Sequence, residues 1–173
     1  MRIVRFAAIG ALLVLLVLMT GCDLLGLGGA NFSSDPISGH TDTGSTWTFA
    51  SGYVSNSFFS SGEYDVNLYA VSPTSGSNPW DAGAYSSSAD YITFTAPSSP
   101  DAVKLQFKLF GDTSANQTIT YYSGGTNYII IDGWIQLTVD ETAGTATVKL
   151  DVSDSSSGID FNGTVTVNVE PAS

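Results

Sequence analysis

Thr145-Ala146-Thr147-Val148-Lys149-Leu150-Asp151-Val152, followed at a short distance by Ile159-Asp160-Phe161-Asn162-Gly163-Thr164-Val165-Thr166-Val167-Asn168-Val169, decides the fold. In the first run Ala146, Val148, Leu150 and Val152 share one parity, and Thr147, Lys149 and Asp151 share the other. In the second, Ile159, Phe161, Val165, Val167 and Val169 alternate with Asp160, Thr164, Thr166 and Asn168. Successive side chains of a strand point to opposite faces, so each run has one apolar face and one polar face. The cluster Ser155–Gly158 between them reads as a turn.

The same period of two recurs upstream. Val103, Leu105, Phe107 and Leu109 alternate with Lys104, Gln106 and Lys108. Tyr64, Val66, Leu68 and Ala70 alternate with Asp65, Asn67 and Tyr69, and Ile135, Leu137 and Val139 with Gln136 and Thr138. Shorter candidates span 46–50, 91–96, 118–122 and 128–131. Turn clusters at 60–62, 123–125, 132–133 and 142–144 separate them. Ser, Thr and Gly dominate where helix formers would be needed. About nine short strands with one apolar face predict an all-β, antiparallel β-sandwich, with a closed up-and-down barrel as the alternative. The sandwich is favoured because strand lengths are uneven. Leu105 and Phe107 are expected in the core with Lys104 and Lys108 outside, since a one-residue slip would bury ammonium groups. Trp47 and Phe49 share a face and are also expected inside.

Charge narrows the function. The 173 residues carry 5 Lys+Arg against 16 Asp+Glu. Both arginines, Arg2 and Arg5, precede Phe6–Met19, an apolar run broken only by Gly10. Fourteen helical residues span roughly 21 Å, short of the roughly 30 Å hydrocarbon core, so residues 1–21 read as a signal peptide. After its removal three lysines face all 16 acids, a net charge of 3 − 16 = −13. Such a chain cannot neutralise a phosphate backbone, and no nucleic-acid partner is expected. One Cys excludes a disulfide framework and Cys-based zinc sites, and one His excludes a multi-His metal centre.

That one Cys closes Leu18-Met19-Thr20-Gly21-Cys22, which resembles the lipobox of bacterial lipoproteins, with Met19 where the family usually has Leu. The resemblance implies lipidation of Cys22 by two or three acyl chains, enough for stable membrane anchoring. The membrane is then a partner through the lipid on Cys22, and the protein faces the exported side of the bacterial cell envelope. Asp23 resembles the inner-membrane retention signal of enteric bacteria. Residues 22–44, rich in Gly, Ser and Asp, read as lipidated Cys and tether with a first short strand near Ile37. Residues 45–173 read as one β-sandwich domain. The stretches Ile37-Ser38-Gly39 with Trp47-Thr48-Phe49, Asp132-Gly133-Trp134-Ile135-Gln136-Leu137, and Phe161-Asn162-Gly163-Thr164-Val165-Thr166-Val167 resemble strands of small secreted bacterial β-domains, often lipoproteins of unknown function. That resemblance implies a fold and no activity.

Candidate chemistry is sparse. His40, the one base available to a serine nucleophile, lies in a loop-like stretch without a G-x-S-x-G motif, so no catalytic residue is assigned. Asp65, Asp132, Asp140, Glu141, Asp151 and Asp160 are the acids from which a carboxylate hydrolase would draw a pair. Asp151, Asp154 and Asp160 around a Ser-rich turn are candidate calcium ligands, without the EF-hand spacing, and no other cofactor is expected. Trp80, in the loop Ser77-Asn78-Pro79-Trp80-Asp81, and Trp134, on the face opposite Ile135 and Leu137, are candidate ligand-binding aromatics of the kind that stack on sugar rings. The expectation is a non-catalytic binding or interaction module with a carbohydrate or envelope-protein partner. Its rivals are a calcium- or carbohydrate-binding sandwich, a lipocalin-like carrier of small apolar ligands, and a carboxylate hydrolase.

Overall fold

A computed structural model describes residues 29–106 and 117–171. The protein is all-β. Eleven strands, β1 Ser38–His40, β2 Thr46–Thr48, β3 Ser51–Asn56, β4 Glu63–Tyr69, β5 Tyr91–Pro97, β6 Val103–Lys104, β7 Ile119–Ser123, β8 Thr126–Ile130, β9 Asp132–Asp140, β10 Thr145–Asp154 and β11 Ile159–Val169, form one sheet. A 3-10 turn, Ala82–Ala84, interrupts the β4–β5 connection. The order is β6-β9-β10-β11-β3-β4-β5-β7-β8, and β1 pairs with β11 and with β2.

The alternating runs 145–152 and 159–169 form a ten-rung hairpin, Thr145↔Asn168 through Asp154↔Ile159. Its apolar parity is buried at Ala146, Val148, Leu150 and Val152 on β10 and at Ile159, Phe161, Val165 and Val167 on β11, with Val169 half-buried at the strand end. The sheet is mixed, not antiparallel as expected, because β11 and β3 run parallel at Asn168↔Tyr53 and Val169↔Val54. Strand β3 itself lies outside the expected set. Tyr53 and Val54 are both buried, one on each face, so no alternation announced it.

The sheet curls strongly. Along its order β7 lies four strands from β11, which on a flat sheet would be about 19 Å. Yet the Tyr121 and Phe161 rings meet at 5.2 Å between centroids, edge to face. Trp47 reaches Phe161 from β2 at 5.3 Å. The enclosed apolar cluster holds Ile37, Trp47, Val66, Leu68, Ile92, Ile119, Ile130, Ile135 and Leu150 among others. Leu105 is buried and Lys104 exposed as expected, while Phe107, Lys108 and Leu109 lie outside the described residues. Beyond β6, Gln106 and Gln117 exchange backbone hydrogen bonds of 2.8 and 3.2 Å, which joins the β6 end of the sheet to the approach of β7.

The expected tether, 22–44, is partly structural. The Asn31 amide donates to Asp151 at 2.8 Å, the Ser33 amide to Asn162 at 2.7 Å, and the Thr164 amide to the Asp35 carbonyl at 2.8 Å. Ile37 is fully buried, and packing therefore begins well before residue 45. Gly163 permits this: its φ is 146°, and a Cβ there would sit 2.6 Å from the Ile37 Cα and 2.7 Å from the Asp35 oxygen.

Candidate functional site

The outer face of the sheet carries an unexpected aromatic strip. Antiparallel register sets Tyr69 of β4 opposite Tyr91 of β5, and Tyr91 opposite Tyr122 of β7. Three phenols therefore stand in one row across three strands. The Tyr91 and Tyr122 rings stack at 4.4 Å and 10°, and Tyr69 and Tyr91 at 5.3 Å and 29°. Tyr53, diagonal to Tyr69 on β3, stacks on it at 6.4 Å. Directly opposed side chains in antiparallel pairs lie within contact distance, and the ladder follows from the register alone.

The β4–β5 loop covers one end of this row. Tyr85 lies flat on Tyr69, with centroids 3.6 Å apart and planes 3° from parallel. Trp80 meets Tyr53 edge-on at 6.4 Å. The loop is fastened by the Thr74 amide on the Ala84 carbonyl at 2.7 Å, the Gly83 amide on Asp81 at 2.8 Å, and the Tyr85 hydroxyl on the Pro79 carbonyl at 3.1 Å. Tyr53 and Tyr69 are buried beneath it together with the loop's own Tyr85, Trp80 is half-buried against Tyr53, and Tyr91 and Tyr122 stay half-buried at the open end. Burial raises the phenol pKa of Tyr53, Tyr69, Tyr85 and Tyr91 above the ordinary value. At neutral pH these groups are uncharged hydrogen-bonding hydroxyls on apolar rings, suited to stacking and orientation of a neutral ligand.

Of the two tryptophans singled out from the sequence, Trp80 belongs to this face. Trp134 does not: it is half-buried on β9, beside Lys104 in register, with the Lys104 Nζ 6.0 Å from its ring centre. Strands β10 and β11 separate β9 from β3. Tyr53, Tyr69, Tyr91 and Tyr122 occupy the polar parity of their strands, which apolar alternation does not pick out, and Tyr85 lies in a loop. Aromatic residues at outward positions of successive strands were the available signal.

The three aspartates are each occupied locally. Asp151 accepts from the Asn31 amide and, at 3.1 Å, from the Asn162 side chain. Asp160 accepts from the His40 amide at 3.0 Å and faces His40 Nδ1 at 3.1 Å, both side chains being exposed. Asp154 lies on the opposite parity, paired with the buried Ile159. It receives the Ser156 amide at 2.9 Å, the Ser156 hydroxyl at 2.7 Å and the Ser157 hydroxyl at 2.6 Å. The Ser157 and Ser156 bonds hold its carboxyl below the usual range. The serines of this turn thus fix it. Among the described residues no three His, Cys, Asp or Glu side chains converge as a metal site. Cys22 lies outside the described residues.

A separate cleft of about 460 Å³ lies where β3, β4, β11 and the β9–β10 turn meet, lined by Asn56, Tyr64, Glu141 and Glu170 among others. The Tyr64 hydroxyl donates to Glu141 at 2.8 Å, a bond that raises the phenol pKa. No family model matches the chain, and neither curated proteins nor solved structures give a match.

Proposed function

We propose that this is a lipid-anchored lipoprotein of the bacterial cell envelope whose β-domain is a non-catalytic binding module, with carbohydrate as the ligand class. The observation that carries the reading is the in-register row Tyr69–Tyr91–Tyr122, shielded at one end by Tyr85 and Trp80 of the β4–β5 loop and open at the other at Tyr122. Sugar rings bind through stacking on aromatic faces and hydrogen bonds to neutral hydroxyls, and the strip supplies both. The signal-like N-terminus and Cys22 support anchoring. For the finer architecture, the sandwich is our reading. One layer is β6-β9-β10-β11 with β1 and β2, the other is β3-β4-β5-β7-β8, and the Tyr121–Phe161 contact spans them.

Anchoring is tested by growth with labelled palmitate. The wild-type chain incorporates label and Cys22→Ser does not, and label retained in the variant refutes the anchor. Binding is tested by titrating soluble oligosaccharides against intrinsic tryptophan fluorescence. Tyr91→Ala and Tyr122→Ala should each weaken saturable binding about tenfold or more, as loss of a stacked anchor does. Trp134→Ala should leave it unchanged. Equal losses in all three, or no saturable binding, reject the aromatic face as a sugar site.

A further inference from the structure

The β3–β4 hairpin ends in Asn56-Ser57-Phe58-Phe59-Ser60-Ser61-Gly62. Phe58 is 90% exposed and Phe59 91%, and their rings meet each other edge to face at 5.2 Å. No other large apolar side chain among the described residues is exposed to this degree. The backbone beneath is fixed by the Ser57 amide on the Glu63 carbonyl at 3.0 Å and the Glu63 amide on the Ser60 carbonyl at 3.2 Å. The pair is therefore held out at the tip of a built hairpin. Seven consecutive tip residues carry no charge in a chain otherwise rich in acids.

We propose that Phe58 and Phe59 insert into the interface of the bilayer that holds Cys22, giving the protein a second point of membrane contact and fixing how the domain stands on the surface. This rests on the lipoprotein reading. Two observations favour a bilayer as the occupant. The first is composition: inserting this tip desolvates apolar rings, hydroxyls and one amide, and no ion.

The second is reach. Asn31 is held beside Asn162 of β11. From there the parallel pairing Asn168↔Tyr53 leads along β3 to the tip, eleven residues in all, or about 36 Å at strand rise. Interfacial insertion of about 5–10 Å would leave Asn31 roughly 26–31 Å above the surface. The nine peptide steps from Cys22 to Asn31 extend to about 30 Å. Tip and lipid thus reach one membrane at the same time when the tip inserts deeply enough to bring Asn31 within about 30 Å of it. Glu63, Glu141 and Glu170 stand near this end of the domain, and they favour zwitterionic over anionic lipid.

The test uses the full, natively processed chain reconstituted in phosphatidylcholine vesicles. Acylation of Cys22 leaves Ser60→Cys as the only free thiol. An environment-sensitive fluorophore at position 60 should be quenched by shallow spin-labelled lipid, and one placed by Ser155→Cys at the opposite hairpin should not. Adding Phe58→Ser and Phe59→Ser should lower the ratio of inserted to free tips by roughly tenfold per ring, from the apolar area each Phe buries. Anionic vesicles should quench less than zwitterionic ones. Quenching that survives loss of both rings, stronger quenching on anionic vesicles, or no quenching in pure lipid overturns the proposal, the last assigning the tip to a protein partner. Label stoichiometry separates the underlying reading. Two labels per chain mean an unacylated Cys22 and reject the lipoprotein, while the Phe-dependent part of the signal still decides the tip.

Discussion

Gly163→Ala should detach the N-terminal strap from the sheet. The added Cβ would lie 2.6 Å from the Ile37 Cα and 2.7 Å from both the Ile37 nitrogen and the Asp35 oxygen, all backbone, at a φ of 146°. A flexible side chain could swing aside, but backbone in a sheet cannot. The chain must either accept strain of about 1–3 kcal/mol at this φ or release residues 31–40. Release exposes Ile37, now fully buried, at about 1.5–3 kcal/mol, together with the bonds at Ser33 and Thr164. A loss of about 3–5 kcal/mol follows, a large share of the stability of an ordinary domain. The control is Gly124→Ala: its φ is also positive, at 55°, but nothing lies within 4 Å of the added carbon. That change should cost about 1–2 kcal/mol. Urea unfolding of both variants gives the difference. Hydrogen exchange supplies an independent reading, because the Phe49 amide donates to the Ile37 carbonyl at 2.9 Å and should lose protection in Gly163→Ala alone. If the two variants unfold within 1 kcal/mol of each other, the strap is not held by this close approach.

Phe161→Ala removes a ring that is fully buried between Trp47 and Tyr121 and should cost about 3–5 kcal/mol, whereas Phe58→Ala at the exposed tip should stay within about 0.5 kcal/mol in the absence of lipid. Burial pushes the Tyr121 phenol up to about 12. Its folded pKa thus exceeds the unfolded value near 10, so its contribution is fully present below pH 10 and is lost as pH rises through about 12. Absorbance titration of tyrosinate should show this delay, and stability followed from pH 9 to 12 should fall. Asp154→Ala should destabilise the hairpin by about 1 kcal/mol through the Ser156 and Ser157 bonds. Because the Asp154 carboxyl is held low, its contribution is present above the ordinary carboxyl range and lost as pH falls below it. Millimolar CaCl2 and MgCl2 should raise Tm no further than NaCl of equal ionic strength, and a saturable calcium-selective rise would assign Asp151, Asp154 and Asp160 to a metal site.

Much of the fold was legible where one face of a strand is buried and the other is wet. The hairpin 145–169 and the strands around Val66, Phe94 and Ile135 needed only parity. Legibility failed where both faces are covered. Tyr53 and Val54 on β3 break the alternation because the inner core takes one and the β4–β5 loop shelters the other. Tyr69, counted with the polar set, is buried for the same reason. The strap 31–40 lacks periodicity because its backbone carbonyls and amides, more than its side chains, bind it to β10 and β11. At the candidate site Trp80 stood out by type, while the tyrosine row depends on register between strands far apart in sequence, which no local pattern contains.

The pairing of β11 with both β1 and β3 bears on when this protein can fold. His40 and its partner Asp160 are 120 residues apart. Strands made early in synthesis thus wait for the last strand before either sheet edge is satisfied. Non-local pairing of this kind slows folding, since loop closure must precede the contacts that reward it. A nascent chain lacking residues 159–169 leaves β1 with β2 alone and β3 with β4 alone. Cutting the chain before residue 159 should therefore leave two separate pieces of sheet, β6–β9–β10 and β3–β4–β5–β7–β8, with no strand to join them.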